Sequence, residues 1–321
     1  MSLTVIKPGT LSLLQDLGRI GHQHQGMSPG GPLDESAFLW ANLLLDNPPR
    51  AAALEITLGG LSLRANAPTR IALTGADLQA RLNGQPLQDW CSHAIATGDE
   101  LQLGMARRGL RAYLAVTGGF TVTPRHGSCA TVMREQIGGL HGDGRPLAAG
   151  DTLPFAPGEP PLPRCVAPSQ IPDYRAPLTL RVLPGYQHAA FSGEALDAFF
   201  SAEFRISPRS DRMAYRLEGP RITAPAAGLL SEGISLGAIQ VPPDGQPIVL
   251  LRDRQTIGGY PKLGCVASLD CSALAQRPPG SVLRFSRTTL EELVAERAAF
   301  DQHFGLASEK PAARNQRSRT G

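Results

Sequence analysis

Apolar residues along the chain recur mostly with a period of two. LTLRVL (178–183) and RAYLAV (111–116) alternate as strands do, sending successive side chains to opposite faces. LTVIKPG (3–9) and the apolar runs Ile71–Leu73 and Ile248–Leu251 read the same way. Helical spacing is confined to three segments. Asp34–Asp46, DESAFLWANLLLD, is apolar on more than one face and opens on Asp34, a favoured N-cap residue. Thr288–Phe304 starts with Thr288 and Glu291 in capping-box spacing and sets Leu290, Val294 and Ala298 on one face. A shorter helix is predicted over Glu194–Ala202. Elsewhere 35 glycines and 28 prolines punctuate the chain, the composition of short strands joined by turns. A mainly β protein with a few short helices is the prediction.

Two units are expected. The chain, at 321 residues, exceeds the usual size of one domain. Residues 155–177, FAPGEPPLPRCVAPSQIPDYRAP, carry seven prolines and little apolar rhythm, and read as the boundary. The halves begin alike, LTVIKPG at 3–9 against LTLRVLPG at 178–185. A weaker echo sets Glu55, Gly59 and Asp77 against Glu232, Gly237 and Asp253 around the two apolar runs. The units are placed at 1–165 and 178–304, followed by a disordered basic tail over 305–321. That tail accounts for the formal net charge of +3 and leaves a neutral body, so nucleic-acid binding is not expected. Five scattered cysteines without CxxC spacing suit a reducing cytosol better than a disulfide framework or a zinc site. With no apolar run near 20 residues and no basic-then-apolar start, a soluble, cytoplasmic protein without membrane contact is expected.

Polar chemistry concentrates in Ser231–Asp270. The run Ile248–Leu251 delivers Arg252, Asp253, Arg254 and Gln255 to its end, and Gly258, Gly259, Tyr260 and Lys262 follow. Glycines there let main-chain N–H groups face an anionic or carbonyl-bearing ligand. In QDLGRIGHQHQGMSPGG (15–31), Asp16 and Arg19 either pair and lock the loop, or face a ligand. In the second case Arg19 or the Gly30–Gly31 amides would meet an anion, and Asp16 or Asp34 would orient a base or hold magnesium. Glu55, inside an apolar alternation, is either a hydrogen-bond acceptor for turn amides or a functional carboxylate. SDRMAYR (210–216) offers an Asp–Arg lock or a second wall for an anion. His22 and His24 make at most half a metal site, and none is expected. No HExxH, Walker A or dinucleotide fingerprint is present.

The segments QDLGRIG with GGPLD, ALEITLGGL, SDRMAYRLEGP and EGISLGAIQVPPDGQPIVLLRDRQTIGGYPK, in this order, resemble the biotin-dependent carboxyltransferase-like family. That family is also described as allophanate hydrolase subunit 2 or urea amidolyase-related, and includes the C subunits of bacterial 5-oxoprolinases. The resemblance runs from about Leu3 to Phe304. It implies two cyclophilin-like β-barrel units with the active site between them. It also implies the C subunit of an ATP-dependent 5-oxoprolinase, converting 5-oxo-L-proline to L-glutamate with a KipI-like B subunit and an A subunit. ATP and Mg2+ would be used by the complex, which would be needed for activity. The alternatives are a biotin-dependent carboxyltransferase of urea-carboxylase type and a non-catalytic regulator of a KipI-type kinase inhibitor. No biotin-attachment sequence of AMKM type is present, so biotin would come from another chain. On this resemblance Lys262, Tyr260 and Gln255 are the candidate catalytic residues. Arg252, Arg19, Gly258, Gly259, Asp16, Asp34 and Glu55 are the candidate binding residues. The chain departs from relatives at Tyr186, where proline is common, and at Ala214, where glycine is usual.

Overall fold

The computed structural model describes residues 1–159, 161–225 and 230–306. The tail expected over 305–321 lies outside the described residues from position 307 onward. Among the described residues the N-terminal unit is built from β1 (Ser2–Pro8), β2 (Leu11–Gln15), β3 (Ala53–Thr57), β4 (Leu61–Ala65), β5 (Thr69–Asp77), β6 (Arg81–Leu82), β7 (Gln85–Pro86), β8 (Cys91–Ile95), β9 (Glu100–Gln102), β10 (Arg108–Val116) and β11 (Thr152–Pro154). They form a six-stranded sheet, β11-β1-β4-β9-β6-β7, and a five-stranded sheet, β2-β3-β10-β5-β8. Leu3, Val5 and Leu63 from the first meet Leu54, Leu73 and Leu114 from the second in one core. The opposite face of the second sheet is covered too. Ala53, Ala72, Tyr113 and Ala115 pack under helix α1 (Glu35–Leu43). The alternation in RAYLAV therefore marks two buried faces.

The C-terminal unit contributes β12 (Leu178–Pro184), β13 (Phe204–Ile206), β14 (Ala214–Glu218), β15 (Glu232–Gly233), β16 (Ala238–Gln240), β17 (Ile248–Leu250), β18 (Ile257–Gly258), β19 (Lys262–Val266) and β20 (Val282–Arg287). Seven of these close a barrel in the order β12-β19-β16-β17-β14-β13-β20, while β15 and β18 pair separately. Helices α2 (Gly193–Ser201) and α3 (Ser268–Ala275) pack on it, against β20 and β12, and α4 (Leu290–His303) follows β20. Phe199 of α2 stacks on Phe285 of β20 with ring centroids 4.3 Å apart.

The expected helix starts are close. Asp34 caps α1, its carboxylate accepting from Ala37 N at 3.0 Å. The capping box of α4 falls one residue later than predicted, on Thr289 and Glu292. The stripe chosen for its packed face is also the wrong one: Leu290 and Val294 are more than half exposed. Docking is instead done by Arg297, which pairs with Glu35, and by Phe304, whose ring lies 5.4 Å from that of Trp40. Helix α3 was not foreseen, because eight residues carry too few turns to show a period.

The expectation that the cysteines stay reduced is corrected. Cys91 on β8 and Cys165 in the Pro-rich connector form a disulfide across 74 residues. The connector runs alongside β8, with a β-bridge between the same two residues, so pairing comes from the fold rather than from spacing. Cys129, Cys265 and Cys271 are free.

Candidate functional site

Period-two alternation in the barrel strands sends Ile239, Val241, Val249, Leu251 and Leu263 inward. The residues between them face outward. Ala214, Ala238, Ile248 and Leu250 form a small apolar floor on the outer surface. Strand register lines up a transverse row on that surface: Arg216 pairs with Ile248, Ile248 with Gln240, and Gln240 with Lys262. Cross-strand partners project to the same side. A guanidinium, an amide and an ammonium thus stand on one face, spanning about three strand spacings or roughly 14 Å.

A cavity of about 360 Å³ opens over this floor, lined by Arg216, Gln240, Asp244, Ile248, Gln255 and Tyr260 among others. That volume lies in the range of small-molecule sites. Arg216 shows no side-chain partner among the described residues. Gln240 is 2% exposed and its Nε2 has no acceptor. Its Oε1 sits 3.5 Å from Gln255 Nε2. Gly258 passes directly over this amide: a Cβ there would come within 2.8 Å of Gln240 Nε2. Close approach, not an unusual dihedral, is what requires glycine at 258, since its φ lies outside the left-handed region.

Lys262 is engaged at the edge of the site. Its ammonium pairs with Glu232, whose second carboxylate oxygen accepts from the Tyr186 hydroxyl. Gln187 ties the group together, its Oε1 accepting from Lys262 N at 2.8 Å and its Nε2 donating to Glu232 at 2.7 Å. Lys262 and then Tyr186 hold the Glu232 carboxyl below its ordinary range. Glu232 arrives there by the short β15–β18 ladder, opposite Gly258. Arg254 fixes the turn beneath, donating to the carbonyls of Ile234 at 3.1 Å and Leu251 at 3.0 Å.

The other predicted residues are drawn elsewhere. Arg19 is fully buried, with Nε donating to Arg125 O and Nη2 to Ala130 O, both at 3.1 Å. Asp16 locks the same loop by accepting from Gly18 N, the Ser128 hydroxyl and Cys129 N. Asp34 caps α1 and accepts from Gln276 Nε2 at 2.8 Å and Tyr174 OH at 3.0 Å. Burial raises its pKa despite these donors. Arg252 is taken by Glu35 at 2.9 Å.

Glu55, fully buried, accepts from Leu33 N at 2.8 Å and Tyr113 OH at 2.7 Å, and pairs with Arg212 from the other unit. Arg212 in turn grips Asp253 at 2.9 Å and the Gly31 carbonyl at 2.7 Å. Burial would raise the Glu55 carboxyl, but the Arg212 and Arg111 guanidiniums outweigh it and hold it low. This network staples the units together. It does not line the cavity, and none of the cavity's lining residues comes from the N-terminal unit. The cavity lies on the barrel's own outer wall.

Gln240, Glu232, Tyr186 and Gln187 were not singled out from the sequence as site residues. A glutamine interrupting the apolar run AIQV was the available signal for the first. The others required knowledge of which loops meet. Among the described residues no group of three or more His, Cys, Asp or Glu could hold a metal ion. Nor is any helix there long and apolar enough to cross a membrane.

Comparison with known proteins adds to this geometry. The family model described as carboxyltransferase domain, subdomain A and B, matches residues 25–287. The chain is 38% identical to the C subunit of 5-oxoprolinase from Escherichia coli (strain K12) over 303 residues, covering 94% of this chain and 96% of the relative. It is 36% identical to the corresponding 5-oxoprolinase C subunit of Haemophilus influenzae, covering 87% and 89% of the two chains. Among solved structures, K. lactis urea amidolyase superposes with a TM-score of 0.88 at 27% identity, over 96% of this chain but 20% of that one. The paired strand-rich units and a match spanning most of the chain agree: this protein belongs to the carboxyltransferase subdomain A and B family, alongside the C subunits of 5-oxoprolinases.

Proposed function

We propose that the chain is the C subunit of an ATP-dependent 5-oxoprolinase, opening 5-oxo-L-proline to L-glutamate together with a KipI-like B subunit and an A subunit. The observation that carries this reading is the composition of the cavity. An unpartnered guanidinium, two side-chain amides and a phenol stand over an apolar floor. A small ring bearing a carboxylate and a lactam needs those groups. Arg216 takes the carboxylate, in place of Arg252, which pairs with Glu35, and Arg19, which is buried against the carbonyls of Arg125 and Ala130. Gln240 and Gln255 face the ring amide, the floor takes the ring methylenes, and Tyr260 donates to the carbonyl oxygen.

An unstrained amide is a poor electrophile. Transfer of a phosphoryl group from ATP to the lactam oxygen makes its carbon a target for water. With ADP released, water adds at that carbon, the C–N bond breaks with a proton delivered to nitrogen, and the acyl phosphate so formed is hydrolysed by a second water to glutamate and phosphate. Negative charge develops where Lys262 and the Gly258–Gly259 amides stand. Lys262 reaches it once Glu232 yields its hold. ATP and Mg2+ belong to the assembled complex in this scheme.

The test is glutamate release from 5-oxoproline and ATP by the chain reconstituted with both partner subunits. Arg216→Ala is expected to raise KM about 10- to 100-fold, the worth of hydrogen bonds to a charged group, with a smaller change in kcat. Unchanged KM would remove Arg216 from the site. Lys262→Ala is expected to lower kcat; near-normal turnover with assembly intact would remove Lys262 from the chemistry. The likeness to urea amidolyase favours a second reading, a carboxyltransferase acting on a urea-type amide. Biotin-dependent carboxylation without glutamate release would establish that one instead.

A further inference from the structure

Gln240 is the polar group that the fold leaves unsatisfied at the site. It is almost wholly buried, its Nε2 donor meets no acceptor, and its carbonyl oxygen is only loosely held by Gln255. Buried donors are nearly always paired, so an orphan beside a cavity marks a place where a ligand oxygen completes the set. We infer that Gln240 is the specificity-determining residue of the cavity, and that it reads the cis edge of an amide. Nε2 donates to the ligand carbonyl oxygen while Oε1 accepts the ligand N–H, a two-bond pairing of one amide with another.

A ring forces its amide to be cis, so a lactam presents C=O and N–H on one edge. An open-chain secondary amide is trans and presents them on opposite sides. Urea and primary amides also carry an N–H beside the carbonyl oxygen. The ligand class is therefore lactam or urea-type amide, with open-chain secondary amides excluded. Gln255 acts through Gln240: its Nε2 stands 3.5 Å to one side of Gln240 Oε1 and biases which way the amide faces. Gly258 lies beside Nε2, where an added Cβ would come within 2.8 Å of it, so the glycine turn borders the pairing edge. The β15–β18 ladder and the Glu232–Lys262 pair hold that turn in place.

This inference rests on the cavity being the substrate site, and its test separates the two ideas. The complex with its partner subunits is titrated with 5-oxoproline and N-methyl-5-oxoproline without ATP, then assayed with both in the presence of ATP. The wild type is expected to bind the N-methyl compound about 10- to 100-fold more weakly, the worth of one buried hydrogen bond left unmade. Gln240→Leu is expected to weaken 5-oxoproline by a similar factor and to abolish the discrimination. Gln240→Glu keeps shape and removes the donor, and is expected to bind 5-oxoproline as poorly as the Leu variant. A merely structural role would lower affinity for both ligands equally and keep their ratio. That result, or an unchanged ratio with normal affinity, overturns the inference even if turnover persists. Discrimination that depends on Gln240 without ATP-driven glutamate release supports it and overturns the oxoprolinase reading instead.

Discussion

Replacing Glu55 with alanine tests whether this carboxylate is a structural staple between the units. The side chain is fully buried, and the change strips Arg212 and Arg111 of a counter-charge. It also leaves Leu33 N–H and the Tyr113 hydroxyl without their acceptor. Breaking a buried ion pair by deleting one partner costs about 3–5 kcal/mol, and each orphaned donor about 1–3 kcal/mol when taken alone. These terms overlap, so about 4–5 kcal/mol is expected. With an unfolding entropy near 2.1 cal/mol/K per residue over about 300 residues, the midpoint should fall by roughly 7 °C.

Differential scanning calorimetry measures this, with Glu100→Ala as the control. That variant breaks the exposed Arg64–Glu100 pair, worth about 0–1 kcal/mol. The pH dependence has a definite sign. Glu55 is held below its ordinary value of 4.5, so its contribution is complete above that pH and is lost as pH falls through the depressed native value. The gap between wild type and Glu55→Gln should therefore close on acidification. A Glu55→Ala midpoint no lower than that of Glu100→Ala would refute the staple, as would a gap that is the same at every pH.

Three further outcomes are expected. Reducing the Cys91–Cys165 disulfide, or replacing Cys165 with serine, should cost about 4.5 kcal/mol by the chain-entropy relation for a 74-residue loop, read as a lower urea midpoint. An unchanged midpoint under reductant would show that packing alone seats the connector. Gly258→Ala sets a Cβ within 2.8 Å of a side-chain amide that has room to shift, so stability should fall by only about 1 kcal/mol while turnover drops; full activity would show that the turn is not fitted to Gln240. Asp89, raised to about 6 first by burial and then by Asp77, favours the native state below its unfolded value of 3.8 and loses that contribution as pH rises through 6. Asp89→Asn should therefore stabilise the protein at about pH 8, by of order 1 kcal/mol after allowance for solvent, and not at about pH 3; equal effects at both would refute the assignment.

Much of the fold could be read locally. Asp34 caps a helix because an aspartate before ESAFLWANLLLD has few better uses, and the strand alternations fell where strands form. The polar turn at 252–262 stood out because packing does not demand it. What failed was the choice among chemically equivalent side chains. Arg19, Arg212, Arg216 and Arg252 look alike in sequence, yet three are consumed by partners and one faces the cavity. The partners responsible lie far away along the chain; Glu55 and Arg212 are 157 residues apart. A second failure concerns faces. Ile239 and Gln240 alternate correctly, but both are buried, one in the barrel core and one beneath the glycine turn. Period alone cannot say which buried face holds a ligand.

Periodicity, turn residues and ordered motifs act over a few residues at a time, so strand content and family membership were already set in the linear chain. Which charges neutralise each other, which cysteines join, and which amide is left without a partner were settled by folding. Coulombic pairing and desolvation depend on distance in space, and closing a barrel brings together residues whose separation along the chain carries no information about that distance.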